Sequence, residues 1–389
     1  MGPGVVTREL VEITEANEAL RTVSDVVLRE FVDDGDWTSL RTAIDRNRTW
    51  LARKGTDHAL AFGPRTVPAG ELDLALATLD RWLAEDMAPE VLATRLGELF
   101  EPMVNLGDGR GDMLVTGYYE PLIAGSRKRT AEYDVPVYGP PPDLFRIALG
   151  DFRDEWSGRT VTGLLSGRRL LPYPERREIR ESGRLRGREI AWARDLVDLF
   201  FVEVQGSGAL QLPDGSEIRI GYAGANGRQY RSIGKLLIDE GAIPRERMSM
   251  QALRSWLRDH PEEIHRILDY NESQVFFRRL DGPPVGSLGI AVTPGRSVAA
   301  DHSLLPAGAL GFLLSEVPGT GPSGETIAER PLRRFVFNHD TGGAIRGADR
   351  ADFFWGRGDE AAMRAGLMKQ PGRLYFLVPR SRADSSAGS

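Results

Sequence analysis

Two carboxylates, Asp340 and Asp352, flank a glycine pair in the stretch DTGGAIRGADRADFFWGRG, and the second runs directly into Phe353, Phe354 and Trp355. A carboxylate beside apolar rings is poorly hydrated. Desolvation disfavours its ion, so it can keep a proton near neutral pH and donate it. Aromatic faces also cover the apolar faces of sugar rings. An acid beside such a platform suits glycosidic bond cleavage. The alternative is that Asp352 caps the following turn and the aromatics are core.

The strand-like RRFVFNH precedes Asp340, which therefore falls at a strand end, where side chains can face a cleft. Gly342 and Gly343 let the backbone turn tightly or lie close to a ligand, or form a plain Gly-Gly turn. In Thr116-Gly117-Tyr118-Tyr119-Glu120-Pro121, two adjacent tyrosines on a strand point to opposite faces, so one can pack inside while the other lines a groove. Two glycine-rich loops flank one hairpin: Gln205-Gly206-Ser207-Gly208, and Tyr222 to Gly227 with Gly224 and Asn226. Their amides and hydroxyls suit sugar hydroxyls and acetamido groups, or serve tight turns.

Other chemistries are excluded. GRQYRSIGKL at 227–236 fails as a phosphate loop, with six residues between Gly227 and Gly234 where four are required, and Leu236 where Ser or Thr is needed. No nucleotide is expected. The five histidines show no metal-ligand spacing, no G-x-S-x-G elbow occurs, and there is no cysteine. The formal charge of −6 argues against a nucleic-acid partner.

The 389 residues suffice for two domains. No apolar run reaches membrane-span length, and the N-terminus lacks a charged-then-apolar signal pattern. Residues 8–100 read mostly helical, through Leu40, Ile44 and Leu51 and again through Leu72 to Met87. From Met113 the texture turns β-rich. Leu196 to Val204 reads as the clearest strand, followed by a hairpin around Pro213-Asp214-Gly215-Ser216. Helices are expected after Ser232, near Ser249 and from Pro261. LDGPPVGSLG at 280–289 reads as a linker, and SLGIAV, ALGFLLSEV, RRFVFNHD and RLYFLVP as strands, with one helix in GDEAAMRAGLM. The order suggests two β-rich bodies, one inserted in the other, and a disordered tail at 381–389.

Taken together, TGYYEP, PERREI, VQGSG, YAGANGRQYRSIGKLLIDEG, MSMQALRSWL, SVAADHSLLPAG and the Asp340–Gly358 block resemble the membrane-bound lytic murein transglycosylase A family, from about Met113 to Pro379. The resemblance implies a mainly β fold with a helical N-terminal part (α+β). A double-psi β-barrel domain would span 1–124 and 284–380, a smaller β-domain would be inserted at 125–283, and substrate would lie in a groove between them. It implies cleavage of the β-1,4 bond between N-acetylmuramic acid and N-acetylglucosamine, leaving a 1,6-anhydromuramoyl end, with no cofactor or metal.

The family's catalytic acid falls on Asp352. Asp340 and Asp301 match two further acidic positions, a charged Asp340 helping Asp352 keep its proton. Thr116, Tyr118, Tyr119, Gln205, Gly206, Ser207, Gly208, Gly224, Asn226, Tyr230, Gly342, Gly343 and Trp355 would bind glycan. Peptidoglycan strands are the implied partner, with other cell-wall enzymes beside them, and the protein is expected to be a monomer. The implied location is periplasmic or at the outer membrane, although no lipidation cysteine is present. A non-catalytic murein binder and a hydrolase of another β-glucan remain as alternatives.

Overall fold

A computed structural model describes residues 13–156, 159–321, 326–342 and 345–380. The predicted tail at 381–389, like Gly343, lies outside the described residues. The chain divides into two compact units. One takes in the chain up to Tyr118, Val285–Gly356 and the chain from Leu367 on; the other is Tyr119–Pro284 with Arg357–Gly366.

The first unit carries an eight-stranded sheet. Its spatial order is Leu20–Thr22, Phe100–Asn105, Lys369–Pro379, Leu310–Thr320, Thr326–Asp340, Ser297–Ala299, Arg350–Arg357 and Met113–Glu120. Lys369–Pro379 also pairs with Met113–Glu120, with Lys369 opposite Thr116. The helices Trp37–Lys54 and Ala69–Ala84 pack their apolar stripes, among them Leu40, Ile44, Leu72, Leu76 and Leu79, into the same core as the sheet residues Phe312, Phe335 and Phe337. A short hairpin, Ala59–Phe62 with Arg65–Pro68, interrupts the predicted helical leader.

One buried ion pair fixes the leader to the sheet. Arg296 is completely enclosed and forks onto Asp33 at 2.6 and 3.0 Å, with the Asp36 carbonyl, the Ser39 hydroxyl and the Phe335 carbonyl taking further donors. Asp33 in turn accepts from the Phe335 amide. Every group being satisfied, the pair is tolerated in the interior, and removing one partner would strand a charge at a cost of about 3–5 kcal/mol. Arg296 immediately precedes the central strand Ser297–Ala299, so this pair sets that strand's position.

The second unit holds a six-stranded sheet, ordered Val275–Leu280, Glu217–Ala225, Ser207–Gln211, Leu122–Ser126, Glu189–Ala193 and Val135–Tyr138. A three-stranded sheet, Arg169–Pro172, Thr160–Ser166 and Phe145–Ala148, accompanies it. The hairpin around Asp214 forms as expected, as do the caps of Ser232 and Ser249 on their helices. Two sequence expectations fail. Leu196–Gln205 is a helix, capped by Asp195 on the Asp198 amide and ended by Gly206 in the left-handed region (φ 76°). A continuous apolar run fits a buried helix as well as a buried strand, and the cap decides between them. SLGIAV is not a strand either: only the isolated bridge Val285–Ala291 forms there.

Candidate active site

The site is built in the first unit, on three neighbouring strands. Ala299 pairs with Asp340 in the parallel ladder on one side and with Asp352 in the antiparallel ladder on the other. The parallel register skips one residue: Val298 faces Asn338 and Ala299 faces Asp340, leaving His339 as an extra residue. Such a bulge re-aims the side chain that follows it. His339 turns inward and is fully buried, stacked on Phe337 at 5.0 Å, with its Nδ1 at 2.9 Å from the Ser297 hydroxyl and Nε2 at 3.3 Å from Asn47 Oδ1. Burial, aided by Arg46 and His302, pushes it down to about 3, so it is neutral. Asp340 leaves the strand on the far side of this anchor.

Asp340 accepts the Ser287 amide at 2.8 Å and the Thr341 amide at 2.9 Å. The Ser287 loop lies so close that a Cβ on Gly286 would come within 2.7 Å of the His339 carbonyl and 3.3 Å of the Asp340 carboxyl carbon. Burial raises Asp340 to about 6, outweighing those amides. Asp340 therefore gives up its proton near pH 6, well above an ordinary carboxyl.

Asp352 is differently housed. The Thr116 hydroxyl donates to its Oδ1, and the Arg350 guanidinium forks onto it, Nε to Oδ1 at 3.0 Å and Nη2 to Oδ2 at 3.4 Å. Arg350 Nε also reaches the Thr116 hydroxyl at 3.3 Å. The expected apolar environment is therefore absent. On Arg350–Arg357, residues two apart share a face, so Asp352 lies with Arg350 and Phe354, while Phe353 and Trp355 face the other way. Trp355 packs edge-on against Phe353 and points its Nε1 at Met368 sulfur, 3.1 Å away; it belongs to the core and is no free platform.

Tyr118 stands beside Asp340. It shares a strand face with Thr116, and its ring lies 4.9 Å from Phe354, so the pairs Thr116–Asp352 and Tyr118–Phe354 run side by side. Its hydroxyl is enclosed and makes no tight hydrogen bond at rest, with the Asp340 carboxyl an acceptor within reach. Burial and the charges of Asp340 and Asp352 push this phenol well up. Asp301 is occupied elsewhere. It accepts from the Ser303 amide and hydroxyl at 3.0 and 2.6 Å and from the Gly347 amide at 3.0 Å. Burial works the other way, but these donors hold Asp301 below the usual carboxylate range. It organises the turn at Gly347 and shows no free acid. Gly342 forms a turn closed by the Ile345 amide.

The remaining predicted binders lie in the second unit. Tyr119 is buried, its amide donating to Gln205 Oε1 at 3.3 Å. Gly206 ends a helix; Ser207 and Gly208 open a strand, where a Cβ on Gly208 would meet Val202 at 3.0 Å. Gly224 sits at a register shift of its hairpin. Asn226 has no exposed surface: its amide donates to the Pro174 and Glu272 carbonyls, each at 2.9 Å, and its oxygen accepts from the Arg228 and Gln274 amides. No capacity remains for a sugar, which corrects that expectation. Tyr230 is exposed. Sequence reasoning missed Arg350 and Ser287. The same-face rule on a strand could have found the first; a backbone donor such as the second leaves no side-chain signal.

Family models match over residues 114–278 (MltA specific insert domain) and 296–378 (3D domain). The membrane-bound lytic murein transglycosylase A of Escherichia coli K12 is 37% identical over 273 residues, 69% of this chain and 67% of that protein. The Vibrio cholerae protein of the same name is 33% identical over 302 residues, 77% and 74% of the two chains. Among solved structures, a membrane-bound lytic murein transglycosylase from Agrobacterium tumefaciens superposes with a TM-score of 0.75 at 31% identity, covering 94% of this chain and 99% of that one. E. coli MltA with bound chitohexaose gives 0.70 at 25% identity, over 98% and 100%.

Proposed function

The chain belongs to the membrane-bound lytic murein transglycosylase A family, and from that premise we propose a single-acid reaction at Asp352. The protein is a peptidoglycan lytic transglycosylase. It cleaves the β-1,4 bond between N-acetylmuramic acid and N-acetylglucosamine and leaves a 1,6-anhydromuramoyl end.

Most glycosidases use two carboxylates, one as acid and one as nucleophile or base. Here the muramoyl C6 hydroxyl is the nucleophile. Being tethered to the reacting ring, it acts at an effective concentration of up to ~10⁵ M or more. Asp352 protonates the leaving oxygen, and the carboxylate so formed takes the C6 hydroxyl proton. Arg350 and Thr116 hold that carboxylate in one orientation and stabilise its charge between the two halves of the reaction. The observation that carries this reading is the seating of Asp352. It is partly exposed, clasped by two donors, and level with Asp340 across Ala299.

The finer architecture is part of the same proposal: a double-psi arrangement of the main sheet, with 125–283 as an inserted smaller domain. It is supported by the last strand, which pairs with Met113–Glu120 through its first half and with Phe100–Asn105 and Leu310–Thr320 through its second. Acting on murein, the enzyme would work in the periplasm or at the outer membrane, among other cell-wall enzymes. No described helix is long and apolar enough to cross a membrane.

Purified murein sacculi incubated with the protein and with Asp352→Ala test the chemistry. Anhydro-ended fragments from the parent alone are expected. Reducing ends would mean hydrolysis, no soluble product would mean a binder, and anhydro products from the variant would remove Asp352 from its role.

A further inference from the structure

We propose that the leader helix Trp37–Lys54 belongs to the catalytic apparatus, with Asn47 and Arg53 as positioning residues that fix the direction of the Asp340 carboxylate. The inference rests on the reading of Asp340 as the second carboxylate of this site. A carboxylate near the acid can stabilise the positive charge that develops on a sugar ring as its glycosidic bond breaks. It does so fully only when held in place beforehand, because a charge that must first reorient loses part of that stabilisation.

Asp340 is the last residue of Thr326–Asp340, so it has a strand neighbour on one side only. Two things fix its direction: His339 behind it, and the loop in front that donates the Ser287 amide. Both are held by the same helix. Arg46, Asn47, Trp50 and Arg53 recur at i, i+1, i+4 and i+7 and so share one face.

The first route runs through His339. Asn47, fully enclosed, sets its Oδ1 against His339 Nε2 at 3.3 Å. Asn47 Oδ1 is an acceptor, so Nε2 carries the ring proton and Nδ1 accepts from the Ser297 hydroxyl, 2.9 Å away. That hydroxyl accepts the Thr293 amide at 2.9 Å, and the Thr293 hydroxyl accepts Arg46 Nη1 at 2.9 Å. The hydrogen bonds thus leave the helix at Asn47 and return to it at Arg46. This ring fixes the extra residue of the bulge, and with it the angle at which Asp340 leaves the strand. Trp50 adds a stop. Its ring fills the space where Gly308 would carry a Cβ, and the Gly308 amide bonds to the Asn338 carbonyl at 2.8 Å.

The second route runs through the Ser287 loop. The Gly289 amide bonds back to the Gly286 carbonyl, and the Gly286 amide to the Ile290 carbonyl, each at 2.9 Å, which makes 286–290 a tight turn around Ser287. Arg53 Nη2 donates to the Gly289 carbonyl at 3.2 Å and reaches the Leu288 carbonyl at 3.5 Å. Arg46 holds the stem of the same loop through the Val292 carbonyl at 2.8 Å. Arg53 is exposed, and among the described residues these two carbonyls are its only hydrogen-bond partners. Its effect therefore falls on the turn that carries the amide.

The test is kcat and KM at pH 7.5 on soluble murein glycan strands. Arg53→Ala should lower kcat about tenfold, within the ~10²-fold that a misplacement of about 1 Å can cause, with KM within about threefold. Its melting temperature should stay within about 2 °C, as for an exposed side chain. Arg53→Lys should recover most of the rate, because a carbonyl needs a donor and not a planar fork. Asn47→Leu, which keeps the bulk of the side chain, should lose kcat by a similar factor. In an Asp340→Asn background neither substitution should lower kcat further, since both act through that carboxylate. An Arg53→Ala enzyme whose kcat stays within about twofold of the parent overturns the proposal. So do equal losses with and without the Asp340 carboxylate, which would mean that the helix acts on something else. Should Asn47→Leu not fold, Arg53→Ala decides alone. An impaired Asp340→Asn beside an unimpaired Arg53→Ala sinks only the positioning role, whereas a fully active Asp340→Asn sinks the reading of Asp340 and the proposal with it.

Discussion

Asp340 and Asp352 are register partners of one and the same residue, Ala299. Two strand spacings separate their backbones by about 9–10 Å. Their environments differ sharply across that short distance: backbone amides and burial for one, a guanidinium fork and a hydroxyl for the other.

Arg350 should fix the orientation of Asp352. Arg350→Gln is expected to lower kcat about tenfold, with KM little changed, because the carboxylate loses its guanidinium fork. Lysine should restore only part of the rate, since it lacks the planar fork. Steady-state kinetics on the three enzymes check this. An unchanged kcat in Arg350→Gln would count against the ion pair as a functional contact.

Gly286 is needed because the His339 carbonyl and the Asp340 carboxyl leave no room for a Cβ. Gly286→Ala should push the loop away and draw the Ser287 amide off Asp340. That amide favours the ionised form, so its loss raises Asp340 further. The expected result is a folded protein whose Asp340 carboxyl gives up its proton above pH 6. Circular dichroism verifies folding, and an NMR titration of the Asp340 carboxyl gives the answer.

Asp340 should weaken the fold at neutral pH. Its folded-state value, about 6, lies above the ordinary 3.8, so between those values the folded chain holds a proton that the unfolded chain releases. Stability therefore falls as pH rises from about 4 to 6 and stays lower above it. Asp340→Asn removes that cost. Its melting temperature should exceed the parent's at pH 7.5, and the gap should close near pH 4. A gap that does not depend on pH would show that burial of the charge is not the cause.

Asn226 should matter for folding and not for substrate. Its four hydrogen bonds tie the 173–174, 226–228 and 272–274 segments together. Asn226→Ala leaves buried backbone groups without partners, at about 1–3 kcal/mol each. The urea midpoint should drop clearly while KM stays unchanged. A raised KM in a fully folded variant would return Asn226 to the binding surface.

The limits of sequence reading show in particular residues. The strand ending at Asp340, the caps at Ser232 and Ser249, and the Tyr118/Tyr119 division of faces were legible because period and capping chemistry are local. The helix Leu196–Gln205 was not, because an unbroken apolar run carries no period. The seating of Asp352 was misjudged for a related reason. Without knowing that Arg350–Arg357 is a strand, the adjacent rings look like its neighbours, whereas the true neighbours are two residues away or on another strand. The extra residue at His339, which re-aims Asp340, depends on pairing with a strand some forty residues earlier and leaves no local trace.

The sealed pair of Arg296 and Asp33 ties the assembly of the cutting machinery to two chain positions 263 residues apart. A ribosome has released the thirty-third residue long before it makes the two-hundred-and-ninety-sixth, so the leader must wait for most of translation before its partner exists. Until then Ala299 has no fixed seat, and the emerging polypeptide cannot cut. A clone begun downstream of Asp36 would lack the Asp33 carboxylate that the guanidinium forks onto. It should accumulate as insoluble material, which a comparison of soluble yields would reveal at once.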